Sequence, residues 1–129
     1  MMINDITYKV RGAIYTVINE LGPGLLESVY EAALKIELVE IGLKVESQVP
    51  IPVYYKGIDL GLGFRIDLIV EDLLIIELKS IEAIQNVHLK QLLTYLKLTG
   101  KPVGLLVNFN SADIDKNIKR LVNGKIDNL

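Results

Sequence analysis

The N-terminal part of the chain carries apolar residues at helical spacing. The first series consists of Ile6, Val10, Ile14, Val17 and Leu21. This spacing predicts an amphipathic helix over residues 6–21, and Gly22 follows it where a helix C-terminus is commonly capped. The turn Gly22-Pro23-Gly24 breaks the chain, and a second helix is predicted over residues 25–41, ending at Gly42.

From Lys44 onward, runs of β-branched and aliphatic residues predict strands instead of helices. The predicted strands cover residues 45–49, 50–55, 58–62, 64–70 and 73–76. Pro50 and Pro52 cannot donate hydrogen bonds to a β-ladder, so their strand is expected to lie at a sheet edge or to be broken there. Residues 58–70 can form one long strand that bends at Gly61 or Gly63.

The C-terminal part is predicted to alternate between helices and a buried strand. Residues 85–98 predict a helix, residues 103–107 a fully apolar strand, and residues 114–122 a last helix capped near Gly124. The predicted order is therefore α-α-β-β-β-α-β-α. Three sequential strands and a crossover helix into a buried strand indicate an α/β sandwich with a mixed sheet.

Composition indicates one domain over residues 1–129 with a well-filled core, since half of the residues are hydrophobic and the mean hydropathy is +0.36. No apolar run approaches the roughly 20 residues of a membrane-spanning helix. The N-terminus also lacks the basic start and apolar core of a signal peptide. Without cysteine there is no disulfide framework and no thiolate metal site. We therefore expect a cytoplasmic protein that does not act at a membrane.

The charge balance argues against tight, non-specific binding to nucleic acid. The net charge is −2 and the pI is about 5.4, whereas such binding normally depends on a basic surface. Basic residues do cluster near the C-terminus, where a solvated helix face is the more common explanation: Lys116, Lys119, Arg120 and Lys125. Metal ions bound at an acidic site can offset such a charge locally, so the balance does not exclude contact with a polyanion.

Charged residues interrupt two of the apolar strands. Asp67 lies within the run 64–70, and Glu77 and Lys79 end the next run, ten residues later. Ionised groups in an apolar hairpin are costly to bury without compensation. A divalent cation would compensate two carboxylates, and an ammonium two residues along the same strand face could hold or polarise a water. The alternative is a salt-bridged polar stripe on a solvated sheet face.

Two of the predicted helices carry polar residues that, taken singly, have structural explanations. Glu27 and Tyr30 share a face of the second helix, where an acid in the first turn is favoured by the helix dipole and a tyrosine packs in the core. His88, Gln91 and Tyr95 form a stripe at i, i+3 and i+7 on the third helix, opposite its leucines. A lone histidine there is more often structural, whereas a glutamine near a metal can orient a carboxylate or contact a phosphate oxygen.

Considered together, these residues resemble the GxxExxY family, whose motif is present as Gly24, Glu27 and Tyr30. That family is placed in the PD-(D/E)XK nuclease superfamily, which has the restriction-endonuclease-like fold. The resemblance covers about residues 17–124, with Ile66 where the superfamily name has a proline. The further matching positions are Asp67, Glu77-Leu78-Lys79, His88-x-x-Gln91-x-x-x-Tyr95-Leu96 and Gly104-Leu105-Leu106-Val107-Asn108-Phe109. The Gln91-x-x-x-Tyr95 pair also resembles the helix motif of RecB-like exonucleases.

This resemblance implies a restriction-endonuclease-like α-β-β-β-α-β core, with a mixed central sheet flanked by helices. The implied function is Mg²⁺-dependent hydrolysis of nucleic-acid phosphodiester bonds, with DNA the expected substrate and Mn²⁺ an expected substitute. Two other functions are compatible with the same fold. One is a catalytically inactive nucleic-acid-binding module, and the other is a homo-oligomeric assembly module.

The resemblance also implies a role for each site residue. Asp67 and Glu77 would bind the metal, Glu27 would reach the same site as a third acid and metal ligand, and Lys79 would polarise the attacking water. The remaining four would position the metal shell or the DNA backbone, or support the residues that do so: Gln91, Tyr95, Tyr30 and His88.

Strand parity constrains the hairpin that carries the two acids. A two-residue loop at Glu71-Asp72 would put Asp67 and Glu77 on opposite faces, so we expect a three-residue connection over 71–73 or a bulge. With no metal bound, crowding of Glu27 with this pair should raise the pKa of at least one of the carboxyls.

A homodimer is expected because an edge strand carries exposed apolar residues. Tyr54, Tyr55 and Ile58 lie on or next to the strand that contains the two prolines. Pairing two copies there, away from Glu27 and Asp67, would cover apolar surface and set two sites against one duplex.

Overall fold

The computed structural model describes residues 2–111, 113–123 and 125–126. Within these ranges the helices are α1 (Ile3–Leu21), α2 (Glu27–Glu40) and α3 (Asn86–Thr99). The strands are β1 (Val45–Tyr55), β2 (Ile58–Val70), β3 (Leu74–Lys79), β4 (Val103–Asn108), β5 (Ile118–Val122) and β6 (Lys125–Ile126). No helix in these ranges is long and apolar enough to cross a membrane.

The strands form one sheet in the order β1-β2-β3-β4-β5-β6. All neighbours are antiparallel except β3 and β4, which are parallel because α3 connects them as a crossover. The predicted α-β-β-β-α-β order and mixed sheet are confirmed. The prediction of an edge position for the proline-containing strand is also confirmed, since β1 borders the sheet.

Helices cover both faces of the sheet. Residues of α1 and α2 pack with one set of strand side chains, among them Leu68 and Ile76, to form the larger core. On the opposite face, Leu92 and Leu96 of α3 pack with Ile75 and Leu106. The central strands β3 and β4 are therefore buried on both faces, which explains why they are almost continuously apolar in sequence.

The β1–β2 hairpin extends as a long arm with an irregularity near its far end. The β1–β2 register shifts between Pro52 and Tyr54, and Gly61 has a φ of 67°, a conformation that few residues other than glycine adopt. At Gly63 the two backbones approach so closely that a Cβ atom would collide with the carbonyl oxygen of Ile51. The prediction of one long strand over residues 58–70 is therefore confirmed, and its irregularity lies at the predicted glycines.

The predicted helix over residues 114–122 is wrong. A 3₁₀ turn occupies Ile114–Asn117, and Ile118–Val122 forms β5, paired antiparallel with β4. The apolar spacing of this segment fits a helix, but β4 has a free ladder edge, and its backbone groups need hydrogen-bond partners that only a strand supplies. The basic residues near position 119 therefore lie on a strand, and the predicted cap at Gly124 lies outside the described residues.

Candidate active site

Asp67 and Glu77 lie opposite each other at the point where β2 and β3 stop pairing. The hairpin connection consists of the three residues 71–73, which confirms the prediction from strand parity. The last ladder pair is Leu68 opposite Ile76, so the two acids are the next opposing positions. The sheet therefore brings together two carboxylates that are ten residues apart in the chain.

Backbone N–H groups hold both carboxylates where the ladder would have continued. The N–H of Leu78 donates to Oδ2 of Asp67 over 2.8 Å, and the N–H of Asp67 donates to Oε1 of Glu77 over 3.2 Å. Each side chain thus takes the place of a carbonyl acceptor from the neighbouring strand. One oxygen of each carboxylate is fixed in this way, and the other oxygen can interact elsewhere.

The side-chain alternation of β2 is interrupted at Asp67. Ile66 packs on the α3 side of the sheet and Leu68 on the α1 and α2 side, although residues two apart in a regular strand share a face. On β1, Gln48 is the residue facing this break, and it has a φ of 50°. The β1–β2 ladder has paired residues on both sides of Gln48 and Asp67 but not at these two positions. This local twist directs Asp67 toward the start of α2.

A pocket of about 390 Å³ opens between α2 and this break in the sheet. It is lined by Glu27, Ser28, Glu31, Gln48, Asp67 and Leu78. Sequence reasoning predicted Glu27 and Asp67 for this site but missed Glu31 and Gln48. Glu31 could have been found, because it follows Glu27 by four residues and so shares its helix face. The position of Gln48 depends on the twist in β1, for which the sequence has no signal.

The side chain of Gln48 connects the two acids from α2 and β2. Its Nε2 atom donates to Oε1 of Glu31 over 2.6 Å and to Oδ1 of Asp67 over 3.3 Å. Both oxygens of Asp67 therefore accept hydrogen bonds, one from a backbone N–H and one from an amide side chain.

The site disfavours negative charge in the absence of a cation. Burial, and then the charges of Asp67 and Glu27, raise the pKa of Glu77 to about 8. Burial and the charge of Glu27 also raise the pKa of Asp67, although the hydrogen bond from Leu78 and the charge of Lys79 oppose this shift. The pKa of Glu31 is raised as well, mainly by burial. The expectation of a raised pKa in this cluster is confirmed for Asp67 and Glu77.

The donor set fits a cation that needs few protein ligands. Asp67 and Glu77 are two buried or half-buried carboxylates whose charged forms are destabilised, and a cation would relieve this cost. Mg²⁺ is commonly bound through one or two carboxylates, with water or substrate oxygens completing its shell. Among the described residues, no three acidic or histidine side chains are close enough together to hold a metal ion. Glu27 therefore lines the pocket without joining the pair as a third adjacent acid.

Tyr30 acts on the segment that leads into α2. Its hydroxyl donates to the carbonyl of Gly22 over 2.6 Å and accepts from the N–H of Leu25 over 3.1 Å. Its ring is fully buried and stacks on Phe109 at 4.5 Å between centroids. The structure therefore shows Tyr30 fixing the turn before Glu27, which is consistent with a supporting role.

The three polar residues predicted on α3 lie in different environments. The helical spacing predicts Tyr95 on the less apolar face of α3. In the structure Tyr95 is buried and stacks on Phe64, with 4.1 Å between the ring centroids. Burial is the main cause of the raised pKa of Tyr95, and the charges of Glu77 and Asp67 raise it further. Tyr95 therefore borders the acidic pair. Nδ1 of His88 accepts from the backbone N–H of Gln85 and caps the helix, and Gln91 is exposed on α3.

Comparison with known proteins identifies a family. A family model of the PD-(D/E)XK nuclease superfamily matches residues 4–121, which is most of the chain. The chain matches no curated protein and no solved structure. The mixed sheet flanked by helices agrees with the restriction-endonuclease-like fold of this superfamily. The match indicates a nuclease, an enzyme of the hydrolase class whose substrate is nucleic acid.

Proposed function

The chain belongs to the PD-(D/E)XK nuclease superfamily, and we propose that it is a Mg²⁺-dependent nuclease that hydrolyses DNA phosphodiester bonds, with Mn²⁺ able to replace Mg²⁺. The observation that carries this proposal is the opposed pair of Asp67 and Glu77, with Lys79 two residues further along the same strand. The motif formed by Gly24, Glu27 and Tyr30 supports placement in the GxxExxY family. The proposal includes a single catalytic domain over residues 1–129 and a cytoplasmic location.

Asp67 and Glu77 would hold the cation, with Glu27 acting on the same site across the pocket. When bound, the cation supplies Lewis-acid stabilisation of the charge that develops on the phosphate and the leaving oxygen. The raised pKa values of Asp67 and Glu77 support this assignment, because burial disfavours the charged form of both carboxyls and a nearby cation would offset this cost.

Lys79 would hold and polarise the water that attacks phosphorus. Residues two apart in a strand share a face, so the side chains of Lys79 and Glu77 leave β3 on the same side of the sheet. Its charge lowers the pKa of both Asp67 and Glu77, which supports its proximity to the pair. In the reaction the water oxygen bonds to phosphorus as the bond to the leaving 3′-oxygen breaks; the water releases a proton to solvent, and the 3′-oxygen takes one up from solvent to become a hydroxyl. Gln91 and Tyr95 are proposed to orient the metal ligands or the DNA backbone, and His88 and Tyr30 to support them.

Calorimetric titration with Mg²⁺ or Mn²⁺ separates this proposal from its rivals. The proposal predicts binding by the wild-type protein and its loss in Asp67→Ala. An inactive nucleic-acid-binding module or an assembly module has no need of the metal and would show no binding.

A cleavage assay tests the substrate. The protein would be incubated with single-stranded, double-stranded and branched DNA, and with RNA, in the presence of Mn²⁺. Cleavage of a DNA form that is lost in Lys79→Ala supports the proposal. Cleavage of RNA alone would contradict the DNA assignment, and equal cleavage by Lys79→Ala would indicate a contaminating nuclease.

We propose further that the protein forms a homodimer through the β1–β2 arm. Tyr54, Tyr55 and Ile58 are each more than 60% exposed, and β1 is an edge strand. These residues are not among those that line the pocket with Glu27 and Asp67. Sedimentation at micromolar concentration, with and without DNA, should show a species heavier than 14.4 kDa, and a monomer under both conditions would refute this part.

A further inference from the structure

Gln48 occupies a backbone conformation that its residue type disfavours. Its φ of 50° lies in the left-handed region, where a Cβ atom crowds the backbone and where glycine is the usual residue. Such strain persists only where surrounding contacts compensate for it, and it is often found at functional sites. The contacts of Gln48 lie at the acidic pocket, where its side chain bonds to Glu31 and Asp67.

Glu31 determines which end of the Gln48 amide faces Asp67. A glutamine side chain can present either its carbonyl oxygen or its NH₂ group. The carboxylate of Glu31, 2.6 Å from Nε2, accepts a hydrogen bond and so selects the orientation with the NH₂ group in the pocket. The same nitrogen then donates its other hydrogen to Oδ1 of Asp67 over 3.3 Å. Glu31 of α2 and Asp67 of β2 are thus linked through Nε2 of Gln48.

We propose that Gln48 is a positioning residue that fixes the plane of the Asp67 carboxylate, and that Glu31 acts through Gln48. A carboxylate held at Oδ2 alone, by the N–H of Leu78, can still rotate about its terminal bond. The second hydrogen bond, at Oδ1, restricts that rotation. The unfavourable φ of Gln48 is what allows its side chain to reach into the pocket, while the residues on either side of it, Ser47 and Val49, stay paired with β2.

The consequence for metal binding rests on the proposed function. Side chains that orient a metal-binding carboxylate typically change metal affinity or activity by 10- to 100-fold when they are removed. We therefore expect Gln48 to affect the affinity of the Asp67 and Glu77 pair for a divalent cation without being a ligand itself.

Substitution of Gln48 by glycine tests the proposal, because it removes the amide and relieves the backbone strain at once. Gln48→Gly should unfold at a urea concentration close to that of the wild-type protein, because relief of the backbone strain offsets the two lost hydrogen bonds, so a fall in metal affinity could not be attributed to a damaged fold. Lys56→Gly is the matched control. Lys56 is also a long residue with a φ of 51°, but it lies in the turn between β1 and β2. Gln48→Asn, which tolerates the same φ but is too short to bridge the two acids, provides a second variant.

The first measurement needs no metal. Hydrogen exchange of the Leu78 N–H, followed by NMR in the metal-free protein, reports on the bond to Asp67 that Gln48 is proposed to stabilise. We expect about tenfold faster exchange in Gln48→Gly, the size of one lost hydrogen bond, and no change in Lys56→Gly. Unchanged exchange at Leu78 in Gln48→Gly and Gln48→Asn would overturn the proposal.

The second measurement is Mn²⁺ affinity by calorimetry. Gln48→Gly should bind about tenfold more weakly than the wild-type protein, whereas Lys56→Gly should match it. Glu31→Ala should also weaken binding, and the double variant should bind no more weakly than Gln48→Gly, because Glu31 acts through Gln48. Additive losses would make Glu31 an independent ligand, and unchanged affinity in Gln48→Gly would refute the effect on the metal. If the wild-type protein binds no Mn²⁺ while exchange at Leu78 still responds, the proposed function fails and the positioning of Asp67 stands.

Discussion

Replacing Glu77 by glutamine should stabilise the metal-free protein, and increasingly so as the pH rises. Glu77 is 7% exposed, and burial together with the charge of Asp67 raises its pKa from 4.5 to about 8. A carboxyl whose pKa is higher in the folded state binds more protons there than in the unfolded state. The free energy of unfolding therefore has its full value below about pH 4.5 and falls as the pH rises through about 8.

The pKa difference of Glu77 gives the size of this effect. Between the two pKa values, each pH unit lowers the free energy of unfolding by about 1.4 kcal/mol, so the whole interval corresponds to at most about 5 kcal/mol. Glutamine has nearly the same shape and retains the oxygen that accepts from the N–H of Asp67, but it carries no charge. The stability advantage of Glu77→Gln should thus be close to zero at pH 4.5 and reach several kcal/mol at pH 8.5.

Urea unfolding in EDTA at several pH values between 4.5 and 8.5 measures this difference. Glu40→Gln is the control, because it makes the same chemical change at an exposed position at the end of α2. Addition of Mn²⁺ at pH 8.5 should stabilise the wild-type protein and leave Glu77→Gln nearly unchanged. A difference between Glu77→Gln and wild type that does not depend on pH would refute the assigned burial and charge of Glu77.

Three further substitutions test the surroundings of the site by urea unfolding. Tyr30→Phe removes both hydroxyl hydrogen bonds of the turn before α2 and should cost about 1–2 kcal/mol, so an unchanged midpoint would show that the turn does not depend on them. Asn108→Ala should cost about 2–3 kcal/mol, because the fully buried amide bonds to both backbone groups of Ile81; equal stability would contradict this. Gly104→Ala would place a Cβ atom 3.0 Å from the side chain of Leu92 and should cost about 1–2 kcal/mol, whereas no loss would mean that α3 shifts freely.

The acidic hairpin could be predicted because simple geometry governs it. Alternation in antiparallel strands allows Asp67 and Glu77 to meet only with an odd-numbered connection, and the structure has the three-residue one. The helices could likewise be predicted, since their apolar spacing is regular and glycine follows α1 and α3. In each case the information is local in the sequence.

The parts that could not be predicted depend on contacts between distant segments. Residues 114–122 have apolar positions that fit a helix, and only the unpaired edge of β4 makes the second half a strand. Gln48 and Glu31 are separated by 17 residues, and they meet because β1 twists where its ladder with β2 is interrupted. Tyr95 was assigned to a polar stripe because its stacking partner, Phe64, lies on another element.

Cleavage of DNA by the wild-type protein and by Asp67→Asn, each with Mn²⁺ and with EDTA, shows whether Asp67 and Glu77 form a metal-dependent active site. Asp5→Asn, an exposed aspartate in the first turn of α1, is the matched control. We expect cleavage by the wild-type protein and by Asp5→Asn in Mn²⁺ only, with a loss of at least about 100-fold in Asp67→Asn. Cleavage that persists in EDTA, or that Asp67→Asn retains in full, would contradict a metal-dependent active site at Asp67 and Glu77.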